Sequence, residues 1–263
     1  MIKKYIYLFL RYLGIEISKM SAYKANLVIY SIFSIISDLL GPFAMYVVYN
    51  VSNGIPGWSF YEILFFQGCL IFVFGFSHFA FMPMTWRTSR NIQYGIVDQM
   101  LIRPVNTLAL ISVSNPDVDG FASAVLGVVL MTYSAVKMNA VFSVINMIYF
   151  IVLMLCGIIF YYSFAVIITG ISFIIVKSQA LLEAFWTVES FAQYPFAVYS
   201  GPVVLFLTFV IPFGLAGNYP ATALLKGMDS LFFFELVGIT FLFLFFSIKA
   251  WDYCLSRYTS AGG

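Results

Sequence analysis

Apolar residues along this chain come in long runs separated by short polar breaks. Ala140 to Val176 continues for thirty-seven residues without one charged side chain, and four more runs of roughly twenty apolar residues lie outside it. A neutral run of that length does not fit inside a soluble domain of 263 residues, so the pattern predicts helices that cross a bilayer. The expected spans are 27–51, interrupted by Asp38 and by Gly41 and Pro42, then 63–82 and 120–136. A fourth lies within 140–176, a fifth within 203–225 and a sixth over 231–250.

The fourth run is longer than one crossing needs, since thirty-seven helical residues would measure about 55 Å against a hydrocarbon core of about 30 Å. One long helix bent near Gly157 or Gly170 and two short helices are the alternatives, and charge separates them. With one span there, Lys3, Lys4, Arg11, Lys19, Lys24, Arg87, Arg90, Arg103, Lys177, Lys249 and Arg257 fall on one side and Lys137 and Lys226 on the other, eleven against two. The positive-inside bias then makes both termini cytoplasmic and favours six spans.

Two polar patterns lie outside the spans. Over residues 1–24, Lys4, Arg11 and Ser18 recur every seven residues, with Ile6, Phe9, Leu10, Leu13 and Ile17 on the other side, which predicts an interfacial amphipathic helix. The apolar stretch after Lys3 and Lys4 is too short for a signal peptide, and no small-residue cleavage site follows. Between Lys177 and Pro195 the residues Gln179, Glu183, Thr187, Ser190 and Tyr194 make one polar stripe on a helix, opposite Leu181, Leu182, Phe185, Trp186 and Val188. That segment is either interfacial or itself the fifth span, with the Pro-rich stretch after it folded as a re-entrant hairpin.

Within 203–225, Pro212, Gly214, Gly217 and Pro220 interrupt any helix. Broken backbone at membrane depth survives where protein or a water-filled cavity supplies hydrogen-bond partners, so the stretch marks either a translocation route or a kink packed against its neighbours. Residues 83–119 form the largest excursion on the cytoplasmic side. A short amphipathic helix is expected there, with Ile96, Met100 and Ile102 toward lipid or bundle and Asp98 and Gln99 elsewhere, ended by Pro104. It reads as a solvated connector or as a docking helix, in which an exposed acid beside Leu101 and Arg103 offers charge and an apolar knob together.

Composition narrows the class. Hydrophobic residues make up 62 %, aromatics 20 % and charged residues 9 % of the chain, whereas soluble domains carry roughly 25 % charge. A net charge of +2 gives nucleic acid no support as a partner. Cys69, Cys156 and Cys254 show no CxxC spacing and read as buried apolar residues. One histidine, no HExxH and no GxSG leave an intramembrane enzyme without candidate chemistry.

Gly95-x-x-Asp98-x-x-Leu101-x-Arg103-Pro104-Val105-Asn106 resembles the cytoplasmic loop of the ABC-2 type permeases, the membrane subunits of ATP-binding-cassette exporters. Further matches follow in order: Tyr194-Pro195, Phe209 to Phe213, Asn218-Tyr219-Pro220-Ala221 and the terminal Arg257-Tyr258-Thr259-Ser260-Ala261-Gly262. The resemblance implies an all-α polytopic fold of one transmembrane domain over residues 1–263. Its parts would be six transmembrane helices, an N-terminal interfacial helix, and a coupling helix between spans two and three that carries Gly95, Asp98, Gln99, Leu101, Arg103 and Pro104. It further implies a multi-pass protein of a prokaryotic cell membrane, working with a second permease, identical or related, above two copies of a separate ATPase subunit. ATP and Mg would belong to that partner, since this sequence has no GxxxxGK[ST] phosphate loop. The resemblance fixes no cargo, and thirty Phe, eighteen Tyr and four Trp favour an amphipathic or hydrophobic one: drug, lipid or peptide.

Asp38 is the acid nearest the middle of a span, and an ionisable group there is a functional candidate by default because burying it costs a few kcal/mol unless it is paired, wetted or protonated. With Pro212, Asn218 and Pro220 it makes the candidate translocation path. A proton- or ion-coupled secondary transporter is the alternative function, with Asp38 and His78 as coupling residues, although no internal repeat is evident. Glu183 and Glu189 are candidates for partner or headgroup contact. Lys226, Asp229 and Glu235 are candidates for an outer gate or for simple interfacial solvation.

Overall fold

The computed structural model describes residues 2–22, 24–52, 54–114, 116–175 and 179–259. Lys177 and the tail from Ser260, both used above, lie outside the described residues. The described chain is all helix and turn. Five helical stretches are long and apolar enough to cross a membrane: Val28–Val51, Phe60–Gln93, which the turn 81–83 divides, Val118–Lys137, Val144–Ile171 and Ser230–Ser256.

Helix α1 (Ile2–Ala22) packs on the ends of other helices. Phe9 meets Phe79 edge-on with ring centroids 5.7 Å apart, and Glu16 pairs with Arg87 at 3.2 Å. Its apolar side divides: Phe9 and Leu13 turn toward the protein, while Ile6, Leu10 and Ile17 stay exposed. α2 (Lys24–Val51) is continuous through Asp38, Gly41 and Pro42, so the expected interruption does not occur. A bilayer helix tolerates proline where neighbouring groups take up the freed carbonyl. Most of α2 faces outward, and its large side chains from Tyr30 to Phe43 are exposed.

α3 (Phe60–Ala80) starts at a capping box in which the Ser59 hydroxyl accepts from Glu62 N–H and the Glu62 carboxylate accepts from Ser59 N–H. That pair satisfies two amides the first turn would otherwise leave open. α3 then runs against α7 (Val118–Lys137) along a seam of small residues. Gly68 and Gly75 on α3 face Gly127 and Gly120 on α7, seven residues apart on each helix, and a Cβ on Gly127 would lie 2.5 Å from Phe72 N. Close backbone approach of this kind replaces the hydrophobic drive that lipid cannot supply.

The polar excursion is three helices, not one: α4 (Met84–Gln93), α5 (Ile96–Leu101) and α6 (Thr107–Val113). Gly95 separates α4 from α5 at φ 66°, a left-handed position that glycine takes without strain. Asn106 opens α6, its side-chain oxygen accepting from Ala109 N–H at 2.9 Å.

α8 (Val144–Ile171) is one uninterrupted helix. Its 28 residues span about 42 Å, which excludes two short helices in that run. Gly157 lets α8 approach the broken segment, where a Cβ would lie 2.5 Å from Leu215 O.

Residues 179–225 form short pieces rather than one helix: α9 (Gln179–Glu189), 3-10 turns at Ser190–Gln193 and Phe196–Val198, α10 (Gly201–Leu205), a π turn at Phe206–Val210, a 3-10 turn at Phe213–Ala216, and α11 (Asn218–Leu225). α12 (Ser230–Ser256) closes the fold beside α8. The core lies where the broken segment meets α8, with Phe160, Tyr161, Phe185 and Phe213 stacked edge to face. Cys69, Cys156 and Cys254 are buried free thiols, as their scattered positions predict.

Candidate functional site

Two adjoining cavities open between α2, α3, α7 and the end of α9. The first, about 210 Å³, is lined by Ser34 and Asp38 of α2, Phe74, Gly75 and His78 of α3, Asp117, Asp119, Gly120 and Ser123 at the start of α7, and Glu189. The second, about 280 Å³, shares Asp38 and Phe74 and adds Ser37, Gly41, Gln67 and Gln193. The glycine seam explains the geometry, because Gly75 and Gly120 bring α3 and α7 close enough for His78 and Asp119 to face one space. Ser34 on α2 meets Ser123 on α7 at 3.1 Å, which fixes the register of the third wall. The Gln67 amide donates to Gln193 O at 2.8 Å and ties the broken segment to α3.

Four carboxyl groups and one imidazole line the first cavity. Asp38 Oδ2 and Asp119 Oδ1 are buried without a hydrogen-bond partner among the described residues. Such groups are costly in a membrane body unless water or a passing ligand solvates them. The described residues contain no group of three ligands placed to hold a metal ion.

Asp38 and His78, which sequence alone could not bring together, therefore line one cavity. The other candidate path residues stand apart from it. Asn218 accepts from Phe196 N–H at 3.0 Å and braces the broken segment, while Pro212 and Pro220 are buried in that segment's packing. Asp117, Asp119, Gln67 and Gln193 were not singled out by sequence. One signal was present: Asp119 and Ser123 lie one helical turn apart, beside glycines repeated every seven residues.

At the end of the molecule that carries α1, the α4–α6 arm packs on the body through the buried Met84, Ile92, Val97 and Ile111 and turns other side chains outward. Tyr94 is 73 % and Ile102 84 % exposed, whereas Leu101 is half-buried against the core, so the apolar knob is Tyr94 and Ile102 rather than Leu101. Gln99, Arg103 and Pro104 are exposed and Gly95 is half-buried. Asp98 is not the exposed acid expected, because Tyr258 donates its hydroxyl to Asp98 Oδ1 at 3.0 Å. Tyr5 anchors the far side of the arm, its hydroxyl accepting from Asn106 N–H at 3.2 Å.

At the opposite end, the Lys226 ammonium sits 3.8 Å from the Trp58 ring centroid and donates to Gly57 O. Burial lowers the pKa of that ammonium from the ordinary lysine value, and the Glu62 carboxylate opposes the shift. Asp229 caps α12 by accepting from Leu231 and Phe232 N–H, which accounts for it without a gating role. Glu235 is exposed.

The five apolar helical stretches, the broken segment packed against the core and the polar cavities between helices fit a polytopic membrane protein. The family model described as ABC-2 family transporter protein matches residues 16–262, and the chain belongs to that family. It is a membrane component of an ABC transporter. No curated protein and no solved structure matched the chain in the comparisons made.

Proposed function

We propose that the chain is the permease subunit of an ATP-driven exporter, working by alternating access with a second permease and two copies of a separate ATPase. The observation that carries this reading is the α4–α6 arm, which is anchored in the core and leaves Tyr94 and Ile102 exposed on its outer surface. An apolar pair beside exposed Gln99 and Arg103 suits a groove on a soluble partner. Gly95, Asp98, Gln99, Leu101, Arg103 and Pro104 form the coupling element, within which Asp98 and Leu101 hold the arm and Gln99, Arg103 and Pro104 meet the partner. ATP and Mg reside on that partner.

The broken segment 179–225 makes the remaining crossing, giving six in all with both termini cytoplasmic. Asp38 stands on the cargo route through the polar cavities, and Pro212, Asn218 and Pro220 shape the broken segment, which reaches the second cavity at Gln193. An amphipathic cargo suits a route with polar cavities and a bilayer-facing apolar surface. ATP closes the two ATPases, their motion passes through α5, and the paired permeases open outward.

Purification of the tagged chain from its own membrane in mild detergent, followed by mass spectrometry, tests the reading. The expected result is a soluble protein with a phosphate loop that co-purifies and is lost in Asp98→Arg. No ATPase under several gentle conditions would overturn it. The meeting of Asp38 and His78 in one cavity favours one other reading, a proton-coupled transporter. Transport that follows an imposed pH gradient in the absence of ATP would select that alternative.

A further inference from the structure

The docking arm is held from a second direction, by the far end of the sequence. Tyr258 follows directly on α12, and its bond to Asp98 joins residues 160 positions apart. The Tyr258 ring also packs edge-on against Phe173, with centroids 5.3 Å apart, just past the end of α8. Phe173 in turn meets Trp251 of α12 edge-on at 5.2 Å, and both are buried. Gly170 lies in the same corner, where a Cβ would make ordinary contact with Trp251. One phenol therefore touches α5, the end of α8 and the end of α12.

α5 has only six residues, and a helix that short has no stability of its own in water. Where it goes depends on what grips it. Val97, with Met100 and Leu101 beside it, anchors α5 on the core, Gly95 is the turn that frees it from α4, and the hydroxyl-to-carboxylate hydrogen bond ties it to the end of α12. A hydrogen bond is directional, so it passes on displacement as well as attraction.

We infer that Tyr258 is a positioning residue that makes α5 and α12 move as one body. A push on α5 then reaches the last span directly. The inference rests on the reading of α5 as the ATPase-docking helix.

The test uses the permease with its ATPase in lipid nanodiscs, Cys69, Cys156 and Cys254 replaced by Ala, and spin labels at Ile96→Cys on α5 and Tyr253→Cys on α12. Both label sites are exposed. In this reference complex the label pair gives one narrow distance distribution that ATP leaves in place. Tyr258→Phe keeps the ring contacts and removes the bond; the distribution broadens and becomes ATP-dependent. ATP turnover of the complex falls about fivefold, the low end of ordinary coupling between sites. Tyr258→Trp, which restores an N–H donor on an aromatic frame, narrows the distribution again, a recovery that a purely space-filling role does not produce. A Tyr258→Phe distribution identical to the reference, or a reference pair that ATP itself shifts, overturns the inference. If the complex stays assembled and hydrolyses ATP in either case, only the positioning role fails; a permease that brings down no ATPase fails the docking reading itself.

Discussion

Asp38 combines three properties that rarely meet in one side chain inside a bilayer: it lies in the middle of a long helix, it borders two cavities, and one of its oxygens is buried without a partner. A carboxylate kept only for helix packing would be expected to have both oxygens satisfied, because an orphaned one costs free energy with no return. Asp38→Asn preserves size and hydrogen-bonding capacity and removes the charge. On the proposed route it changes transport of the cargo by about a hundredfold, the factor that about 3 kcal/mol for a membrane-buried charge corresponds to, while yield and ATPase co-purification stay as in the unsubstituted protein. Uptake into inside-out vesicles reads the effect, and unaltered transport removes Asp38 from the route. His78 faces the same cavity from α3 and is the companion to test. Asp38 was visible in sequence as a lone acid in an apolar run. Its neighbours were hidden, because they come from α3, α7 and the end of α9, and contacts between distant helices leave no local pattern.

Among the elements, α3 and α7 make the most extensive contact, and small residues rather than large apolar ones produce it. Gly75→Ala places a methyl group against the Ala124 backbone, which cannot move away as a side-chain tip would. The expected cost is about 1–3 kcal/mol, typical of overpacking, read as a lower midpoint of thermal unfolding in detergent. Gly238→Ala on α12, where a Cβ meets nothing within 4 Å, is the control and leaves the midpoint in place. A Gly75→Ala midpoint equal to the control would show that the seam relaxes freely. α1 illustrates a different force. Glu16 meets Arg87 near the polar arm, and each side chain is partly exposed. Reversing either charge alone costs about 0.2–1 kcal/mol, and the double reversal Glu16→Arg with Arg87→Glu recovers most of it in a double-mutant cycle. Recovery absent from the cycle would mean that α1 is held by Phe9 and its neighbours alone.

Apolar run length and charge made α2, α3, α7, α8 and α12 legible in the sequence, since a bilayer forces each to satisfy its backbone internally. The same rule explains what was not legible. Pro42 signalled a break that α2 does not make, because a neighbouring helix can stabilise a helix that proline alone would interrupt. Pro212 signalled a break that does occur, because Gly214 and Gly217 after it let the chain pack tightly into the core, whereas Pro220 sits in the first turn of α11, which continues through it. The same residue type therefore carries opposite meanings, and the deciding partner is tertiary.

At the scale of the whole molecule the cavities and the arm are separate devices, and the proposed function requires that one drive the other. The arm is gripped at three points whose partners come from both ends of the chain: Tyr5 on Asn106, Glu16 on Arg87, and Tyr258 on Asp98. The cavities lie where α2, α3, α7 and the end of α9 converge, so any motion that separates α2 from α3 changes their size. A movement of the arm also reaches α3, because the turn 81–83 joins the end of α3 to α4. Bridging α2 to α3 should therefore stop transport without touching the arm. Ser37 and Leu70 line the second cavity from opposite helices, and Ser37→Cys with Leu70→Cys, joined by a short bifunctional thiol reagent in a Cys-free background, supplies the bridge. The expected outcome is an assembled complex that still binds ATP, with cargo transport reduced to background and restored when a cleavable reagent is cut. Transport that continues through the bridged protein would place the route elsewhere, against α8 or between two permeases. It would leave the Asp38 cavities as a water-filled structural feature of this fold.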